Sequence, residues 1–354
     1  MIAARSTPPP RRVLIIKPSA LGDVVTAMPV LRGLRRTFPH ARIEWLVNRN
    51  FAPLIAHDAD LDACMLFDRG KLGAAWRSPA SARAAWRLLG DLRKGAFDWV
   101  LDLQGLLRSG LFAAATRAPV RAGFAGAREG AAVFYNRRVR TSAAHTVDRN
   151  IELARSLGVD ARAEDMTLQV SQDGKEFAED FLQTNALSPG TYLVCVPPTR
   201  WPTKRYPPRH WRRVISAFAG RITVVLLGGP GDRDVCAAAA ENVGGRLINL
   251  AGETGIEQFV AVLASSGGVV CCDSAAGTIA SATGVGVVML TGPTRPQRTG
   301  PYRCGTVVAA DVPCRGCLKR RCSHVTCMEL IDPDRVTAAT EKMLENRRAP
   351  ACSQ

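Results

Sequence analysis

Long apolar segments are missing from this chain. No window approaches the roughly 18 uninterrupted apolar residues that cross a bilayer, so no membrane-spanning helix is predicted. The first residues, MIAARSTPPPRR, are rich in proline and contain no apolar core, so no signal peptide is expected. Together these absences predict a cytoplasmic protein that can touch a membrane but does not cross it.

Several well-known catalytic and nucleotide-binding signatures are missing as well. The sequence contains no GxGxxG fingerprint, no Walker A loop and no GxSxG elbow. Histidine is scarce, with five residues, and no histidine has ligand spacing with carboxylates; those considered are His57, His145, His210 and His324. A serine-hydrolase triad, a P-loop and a histidine-based metal centre are therefore not predicted, and no cofactor is expected.

Negative charge is in short supply. The 47 lysines and arginines outnumber the 31 aspartates and glutamates, which gives a formal net charge of +16 and a pI near 9.9. Such a balance favours polyanionic partners. Nucleic acid, an anionic membrane surface and a phosphorylated substrate all remain open on this ground.

Strand-like and helical segments alternate in both halves of the chain. The predicted strands have continuous rather than alternating apolar residues, which is typical of parallel sheets covered on both faces. They are VLIIK, RIEWLV, ACMLF and WVLDL in the first half, and TYLVCV, ITVVLLGG, GVVCC and VGVVML in the second. This pattern predicts an α/β protein with two doubly wound domains, 1–175 and 185–354, separated by a polar, turn-rich break at 171–190. One helix, with a kink at Pro29, is predicted between the first two strands.

The loops after the strands are where open α/β sheets bind ligands. In CCDSAAG, Asp273 and Ser274 are good helix N-caps, and the small residues after them allow a ligand to approach the backbone N–H groups of the helix start. A diphosphate suits that position; a capped, tightly packed helix is the competing interpretation. The predicted donor-binding residues of this loop are Asp273, Ser274, Ala275, Ala276 and Gly277.

Two further loops of the second half contribute candidates. PPTRWPTKR carries Thr199, Arg200 and Lys204, whose charges can neutralise a leaving diphosphate, although runs of charge are usually solvated. LGGPGDRD carries Asp232, for which a ribose contact is considered but a turn with a helix cap is favoured.

Candidate residues of the first half also lie in loops. SALGD, between a strand and a helix, contains Ser19, Gly22 and Asp23, and the aspartate is open as a helix cap, a ribose clamp or a catalytic base. Gln104 follows another strand in DLQGLLRSG. Basic residues suited to an anionic acceptor include Arg69, Lys71 and Arg128, with a solvated surface as the competing interpretation for each.

A cysteine cluster lies near the C-terminus. Cys314, Cys317, Cys322 and Cys327 have the spacing C-x2-C-x4-C-x4-C of a zinc knuckle, and four thiolates can close a tetrahedral zinc site. The aromatic residues that stack bases in nucleic-acid modules are absent from it. A structural loop, with or without metal, is therefore favoured over nucleic-acid binding.

These motifs together resemble the heptosyltransferases of glycosyltransferase family 9, which build the inner core of lipopolysaccharide. The resemblance covers nearly the whole chain and rests on SALGDVVTAMPVLRGLRR, DLQGLLRSG, GAREGAAVFYNRR, HTVDRNIELARSLG, RWPTKRYPPRHW, CDSAAG and TGPTRPQRTGPY. It implies a GT-B fold, with two Rossmann-like domains facing across a cleft, the acceptor on the N-terminal domain and the nucleotide sugar on the C-terminal one. It also implies metal-independent, inverting transfer from ADP-heptose to Kdo-lipid A or a similar acceptor, at the inner leaflet of the cytoplasmic membrane, with no nucleic-acid partner.

The resemblance gives the candidate residues their roles. It implies that Asp23 is the catalytic base and that Lys204 stabilises the leaving diphosphate, with Thr199 nearby. Asp273 and Ser274 match the donor-binding DSG or DTG motif. Arg128 matches an acceptor-binding arginine, and Arg69 and Lys71 fall in the basic stretch that meets the acceptor.

One departure from the family keeps alternatives open. Where the family's DSGxxH motif has glycine and histidine, this chain has Ala275 and Thr278. A family 9 enzyme with another nucleotide sugar or glycan acceptor is therefore the second hypothesis. A zinc-knuckle RNA-binding protein is a remote third.

Overall fold

The chain folds into two compact units. The structure is a computed structural model that describes residues 9–68, 70 and 78–346. The units divide between Met166 and Thr167, a few residues before the predicted break at 171–190. Among the described residues, no helix combines the length and apolarity needed to cross a membrane.

The first unit is built on a parallel sheet of six strands in the order β3-β2-β1-β4-β5-β6. The strands are β1 Arg12–Ile16, β2 Arg42–Asn48, β3 Ala63–Phe67, β4 Trp99–Asp102, β5 Val120–Phe124 and β6 Arg137–Val139. In the central register, Val13 lies between Ile43 and Trp99. The four strands predicted for this half are present, whereas β5 and β6 were not predicted.

Helices cover both faces of this sheet. Their bounds are α1 Leu21–Val25, α2 Met28–Thr37, α3 Pro79–Lys94, α4 Leu107–Thr116 and α5 Thr146–Arg155. The single helix predicted after β1 is instead broken into α1 and α2. Pro29 lies in the first turn of α2, where its missing N–H costs no helical hydrogen bond, so it begins a helix rather than kinking one.

Three helical elements of the first unit pack together against its sheet. Leu88 and Leu92 of α3, Phe112 of α4, and Ala131 in the 3-10 turn Ala131–Phe134 share one buried apolar cluster with strand residues such as Leu14. Both α3 and the 3-10 turn pack against α4. These three elements therefore form one layer over one face of the sheet.

The second unit repeats the plan. Its six parallel strands have the order β12-β11-β10-β7-β8-β9, with Val194 between Val225 and Val269. The strands are β7 Tyr192–Val196, β8 Thr223–Leu226, β9 Leu247–Asn249, β10 Gly268–Cys272, β11 Val287–Leu290 and β12 Thr306–Val308. The four predicted strands are present, and β9 and β12 are additional.

The helices of the second unit surround a core that contains Trp211, Phe218 and Met328. They are α6 Gln172–Thr184, α7 Pro208–Ala219, α8 Arg233–Ala240, α9 Ile256–Ala264, α10 Ala275–Ala282, α11 Pro296–Thr299, α12 Thr326–Glu329 and α13 Pro333–Asn346. The backbone of α6 approaches α9 so closely that a Cβ on Gly174 would lie 2.9 Å from the Glu257 carbonyl oxygen. Because α6 belongs to this unit, the first unit ends before it and not at residue 175.

Candidate active site

In the first unit, Asp23 lies on α1 directly after the carboxyl end of β1. Its Oδ2 accepts the N–H of Ala20 at 2.9 Å, as a residue in the first turn of a helix does. Its other oxygen, Oδ1, has no hydrogen-bond partner among the residues the structure describes. The cap interpretation is therefore correct for one oxygen, and the second oxygen of this half-buried carboxylate is available to a ligand.

The loop after β4 meets the loop after β1. The N–H of Ser19 points to Gln104 Oε1 at 3.4 Å, a long hydrogen bond. The N–H of Arg128 donates to the carbonyl of Gly105 at 3.0 Å, which ties a third loop to the same place. The structure thus brings the predicted acceptor residues Ser19, Gln104 and Arg128 to one edge of the sheet, while the predicted Arg69 and Lys71 lie outside the described residues.

A buried carboxylate that the sequence interpretation missed shapes this edge. Asp102, the last residue of β4, has no solvent exposure. Its Oδ1 accepts the N–H groups of Gln104 and Gly105 at 2.9 and 3.1 Å, and its Oδ2 accepts the hydroxyl of Tyr135 at 2.6 Å. Burial raises the pKa of Asp102, and the hydrogen bonds from Tyr135, Ser109 and the two backbone donors oppose that rise.

The turn after β4 requires a positive φ at Gly105. Its φ of +66° lies in the left-handed region that favours glycine. The signal for the whole arrangement was present in the sequence, since WVLDL places a lone aspartate in an otherwise apolar strand, and such a buried charge needs nearby donors.

In the second unit, an ion pair joins two predicted donor residues. Lys204 Nζ lies 3.0 Å from Asp273 Oδ2, in a geometry outside that of a hydrogen bond, and 3.4 Å from the Asp273 carbonyl oxygen. The same ammonium lies 4.6 Å from the ring centroid of Trp201. Asp273 is 8% exposed and Lys204 half-buried, so the pair is shielded but reachable at the carboxyl edge of β7 and β10.

The start of α10 lies beside this pair. Ser274 is the N-cap residue, but its Oγ makes no cap hydrogen bond and is buried without a partner among the described residues. The first N–H groups of a helix lack intrahelical acceptors and favour an anion. Ala275 leaves this position open because its side chain is small.

Ala276 and Gly277 face the sheet of the second unit. Ala276 is buried, and a Cβ on Gly277 would lie 2.2 Å from Met289 Cε. The same Cβ would lie 3.3 Å from the sulfur of the buried Cys271. These residues therefore serve the packing of α10 on the sheet, and their part in donor binding stays a prediction.

The remaining predicted donor residues are spread along the same edge. Thr199 is buried and donates to the carbonyl of Trp201 at 2.8 Å, which shapes the Lys204 loop, and Arg200 is exposed. Asp232 accepts the N–H of Gly229 at 2.9 Å, so it closes its own turn, as the favoured interpretation of that motif had it.

Buried hydroxyl groups without partners mark positions to which the sequence interpretation gave no role. Thr254, Thr291 and Thr294 follow β9 and β11, and their Oγ1 atoms are buried with no hydrogen-bond partner among the described residues. Because such groups normally find a partner, they point to a ligand or ordered water at this edge. The signal available was TGPT, a pair of threonines directly after an apolar strand.

Sequence comparison identifies the family. Residues 85–327 match the model for glycosyltransferase family 9 (heptosyltransferase). The chain belongs to glycosyltransferase family 9. A family 9 relative, lipopolysaccharide heptosyltransferase 1 of Pseudomonas aeruginosa, is 31% identical over 94% of this chain and 98% of its own length. Its counterpart in Escherichia coli is 29% identical over 82% of this chain and 91% of its own length.

Solved structures agree with this family 9 membership. A family 9 glycosyltransferase from Veillonella parvula aligns with a TM-score of 0.80 at 21% identity, covering 95% of this chain and 97% of that one. E. coli heptosyltransferase WaaC with ADP-2-deoxy-2-fluoro heptose aligns with a TM-score of 0.73 at 26% identity, covering 94% and 99%. The predicted fold class, two Rossmann-like doubly wound domains of the GT-B type, is confirmed, and the chain is a glycosyltransferase.

The cysteine cluster of this family 9 chain adjoins the Lys204 loop. Cys314, Cys317, Cys322 and Cys327 line one small pocket together with Thr203. In the described part of the chain, however, no three His, Cys, Asp or Glu side chains are arranged to hold a metal ion. Zinc binding by these four cysteines stays an open alternative, and the structural-loop interpretation stays a prediction.

The cysteine loop instead supports its neighbour. Thr203 donates its hydroxyl to the carbonyl of Lys319 at 2.9 Å, and the Arg320 guanidinium lies 4.7 Å from the ring centroid of Trp201. Trp201 thus has contacts with both Lys204 and Arg320, and the cysteine loop buttresses the loop that carries the predicted phosphate-binding lysine.

Proposed function

We propose that this enzyme transfers a heptose from ADP-heptose to a Kdo or heptose hydroxyl of the lipopolysaccharide inner core. The observation that carries the proposal is the Lys204–Asp273 pair beside the start of α10, where the buried Ser274 hydroxyl lacks a partner. Cation, helix N-terminus and hydroxyl together suit a diphosphate. The heptosyltransferase names of its relatives supply the sugar and the acceptor class.

The donor side of the reaction lies in the second unit. As the anomeric C–O bond to the diphosphate breaks, negative charge grows on the leaving ADP, and the Lys204 ammonium stabilises it. Asp273 acts as a positioning residue, because its carboxylate holds Lys204 at the edge of the sheet before the donor arrives. Thr199 fixes the loop, while Thr291 and Thr294 offer hydroxyl donors to the same ligand.

The acceptor side lies in the first unit. Asp23 takes the proton of the attacking acceptor hydroxyl on the Oδ1 that has no protein partner, while the N–H of Ala20 holds its other oxygen. The new C–O bond forms on the face opposite the leaving group, so the anomeric configuration inverts. Gln104 and the basic Arg128 belong to the same edge and bind the acceptor. No metal takes part in this scheme.

The partner on this side is an acceptor of the Kdo-lipid A type, held in the inner leaflet of the cytoplasmic membrane. The net charge of +16 suits a peripheral enzyme that works on phosphorylated lipid at that surface.

A second candidate is a family 9 enzyme that uses another nucleotide sugar. The feature that favours it is local: Ala275 and Thr278 stand where the family motif has glycine and histidine. The start of α10 is unchanged by these residues, so diphosphate binding is common to both candidates, and the sugar or base distinguishes them.

Calorimetric binding of ADP, UDP and GDP, followed by turnover of ADP-heptose with Kdo-lipid A, separates the candidates. We expect selective binding of ADP and heptosyl transfer. Selective binding of UDP or GDP without heptosyl transfer would reject the first candidate and favour the second. Lack of binding to every nucleotide would reject both.

A further inference from the structure

Large apolar side chains are exposed together on one layer of the first unit. Trp86 on α3 is 74% exposed, Leu107 and Leu111 on α4 are 43% and 47% exposed, and Val133 in the 3-10 turn Ala131–Phe134 is 68% exposed. Single exposed apolar residues are ordinary, but a group on adjoining elements marks an interaction surface.

The three elements share the same buried side. Leu88, Phe112 and Ala131 pack inward in one cluster, and α4 contacts both α3 and the turn. The exposed residues therefore stand on the outer side of one layer. Leu107 and Leu111 are four positions apart on α4, which places them on the same face of that helix.

Positive charge surrounds these side chains. On α3, Arg83 and Arg93 are three and seven positions from Trp86 and share its face, and Arg87 is its neighbour; Arg108 follows Leu107 on α4. Between residues 79 and 138 the sequence has ten lysines and arginines against four aspartates and glutamates. Three of those four are already used within the fold, since Asp98 and Glu129 accept backbone N–H groups and Asp102 is buried.

We propose that this apolar-basic face, made of Trp86, Leu107, Leu111 and Val133 with Arg83, Arg87 and Arg108, docks on an anionic lipid bilayer. The proposal rests on the proposed function, because a lipid-linked acceptor requires the enzyme to work at a membrane. Exposed tryptophan and leucine side chains insert at the level of the headgroups, and arginines bind the lipid phosphates.

Other occupants fit this face less well. A second copy of the chain would bring the same positive surface against itself, which is unfavourable. A nucleic acid would use the arginines, but Leu107, Leu111 and Val133 are aliphatic and offer no ring on which a base stacks.

The apolar-basic face adjoins the predicted acceptor residues. Leu107 is three positions after Gln104, and its N–H donates to Glu129, the neighbour of Arg128, at 3.1 Å. Docking of this face therefore brings the acceptor loops to the lipid surface, where the hydroxyl of a membrane-held acceptor is presented.

The test is sedimentation of the full chain with vesicles, comparing phosphatidylglycerol-containing with purely phosphatidylcholine vesicles at low and high salt. We expect salt-sensitive binding to the anionic vesicles. Trp86→Ser should weaken it by about tenfold, from the lost burial of a large aromatic side chain. Arg83→Gln and Arg87→Gln should each weaken it by about fivefold. Leu330→Ser is the matched control, because Leu330 is 60% exposed in the second unit, and its binding should equal that of the unaltered chain.

Turnover separates this proposal from the proposed function. With ADP-heptose and a delipidated acceptor, Trp86→Ser should keep full activity, whereas turnover of the same acceptor in vesicles should fall. Equal binding of all variants, or no preference for anionic vesicles, would overturn the docking proposal. Formation of a dimer or an RNA complex that Trp86→Ser abolishes would also overturn the docking proposal. Absence of heptosyl transfer would reject the proposed function and leave the vesicle result standing.

Discussion

Loss of the Tyr135 hydroxyl is a sharp test of the buried Asp102 network. Tyr135→Phe removes the 2.6 Å hydrogen bond to Asp102 Oδ2 and leaves the ring in place. The ring packs closely on Gly123, where a Cβ would lie 2.4 Å from it, so the phenylalanine retains this packing. The change is therefore confined to one donor to a fully buried carboxylate.

The expected magnitude follows from what remains. In the variant, Asp102 Oδ1 keeps its two backbone N–H donors, and the Ser109 side chain remains beside the carboxylate. Asp102 Oδ2 loses the Tyr135 hydroxyl as a donor, in a site that water does not reach. A hydrogen bond to a charged group contributes about 1.5–3 kcal/mol, so we expect a loss of about 2 kcal/mol in the free energy of unfolding. For a unit of this size, that lowers Tm by roughly 4–8 °C.

The loss should depend on pH. Burial raises the pKa of Asp102, so this side chain is protonated more readily in the native state than in the unfolded chain. The stability that Asp102 contributes therefore falls as pH rises from the ordinary aspartate pKa of about 4 through the folded pKa. Removal of a donor to the ionised form raises that pKa further. The destabilisation by Tyr135→Phe should therefore be larger at about pH 8 than at about pH 5.

Urea unfolding of the full chain at both pH values measures this effect. Tyr206→Phe is the matched control, because the Tyr206 hydroxyl donates to the neutral carbonyl of Ile331 at 2.9 Å in the second unit. It should cost about 1 kcal/mol with little dependence on pH over this range. Equal losses in the two variants at both pH values would refute the assignment of a buried carboxylate with a raised pKa to Asp102.

Four further outcomes are expected. Asp23→Asn should leave calorimetric binding of ADP nearly unchanged and lower turnover at least ~100-fold, the usual scale for a general base; near-normal turnover would remove Asp23 from that role. Lys204→Ala should weaken ADP binding and slow transfer together, and unchanged values for both would place Lys204 outside the site. Gly123→Ala should destabilise the first unit, because its Cβ meets the Tyr135 ring, whereas Gly126→Ala, with open space around it, should be nearly neutral in the same thermal melts. Chelation should leave turnover unchanged, and a loss restored by added metal would contradict the metal-independent scheme.

Strands with continuous apolar residues were predictable, and short or mixed strands were not. Strands such as β1 and β10 are buried on both faces, and their continuous apolar residues appear directly in the sequence. β6 and β9 have only three residues each, RRV and LIN, and lie at sheet edges. Such segments become strands because a neighbour offers its hydrogen-bonding edge, which is a tertiary effect that local composition does not carry.

The candidate site divides in a similar way. The loops that hold Asp23, Lys204 and Asp273 could be predicted, because ligand loops follow the carboxyl ends of parallel strands. The pairing of Lys204 with Asp273 joins positions 69 residues apart and required the fold. The same is true of the bond between Asp102 and Tyr135, and the assigned chemical roles of these residues stay predictions until the variants are measured.

The buried hydroxyls without partners have a consequence for the lifetime of the protein. Each such group costs the second unit about 1–3 kcal/mol when no ligand or water completes its hydrogen bonding. A ligand that supplies those bonds binds the native state alone and stabilises it by mass action. The supply of nucleotide sugar would then regulate not only the rate of the enzyme but also its abundance, because the unliganded second unit opens more often to proteases.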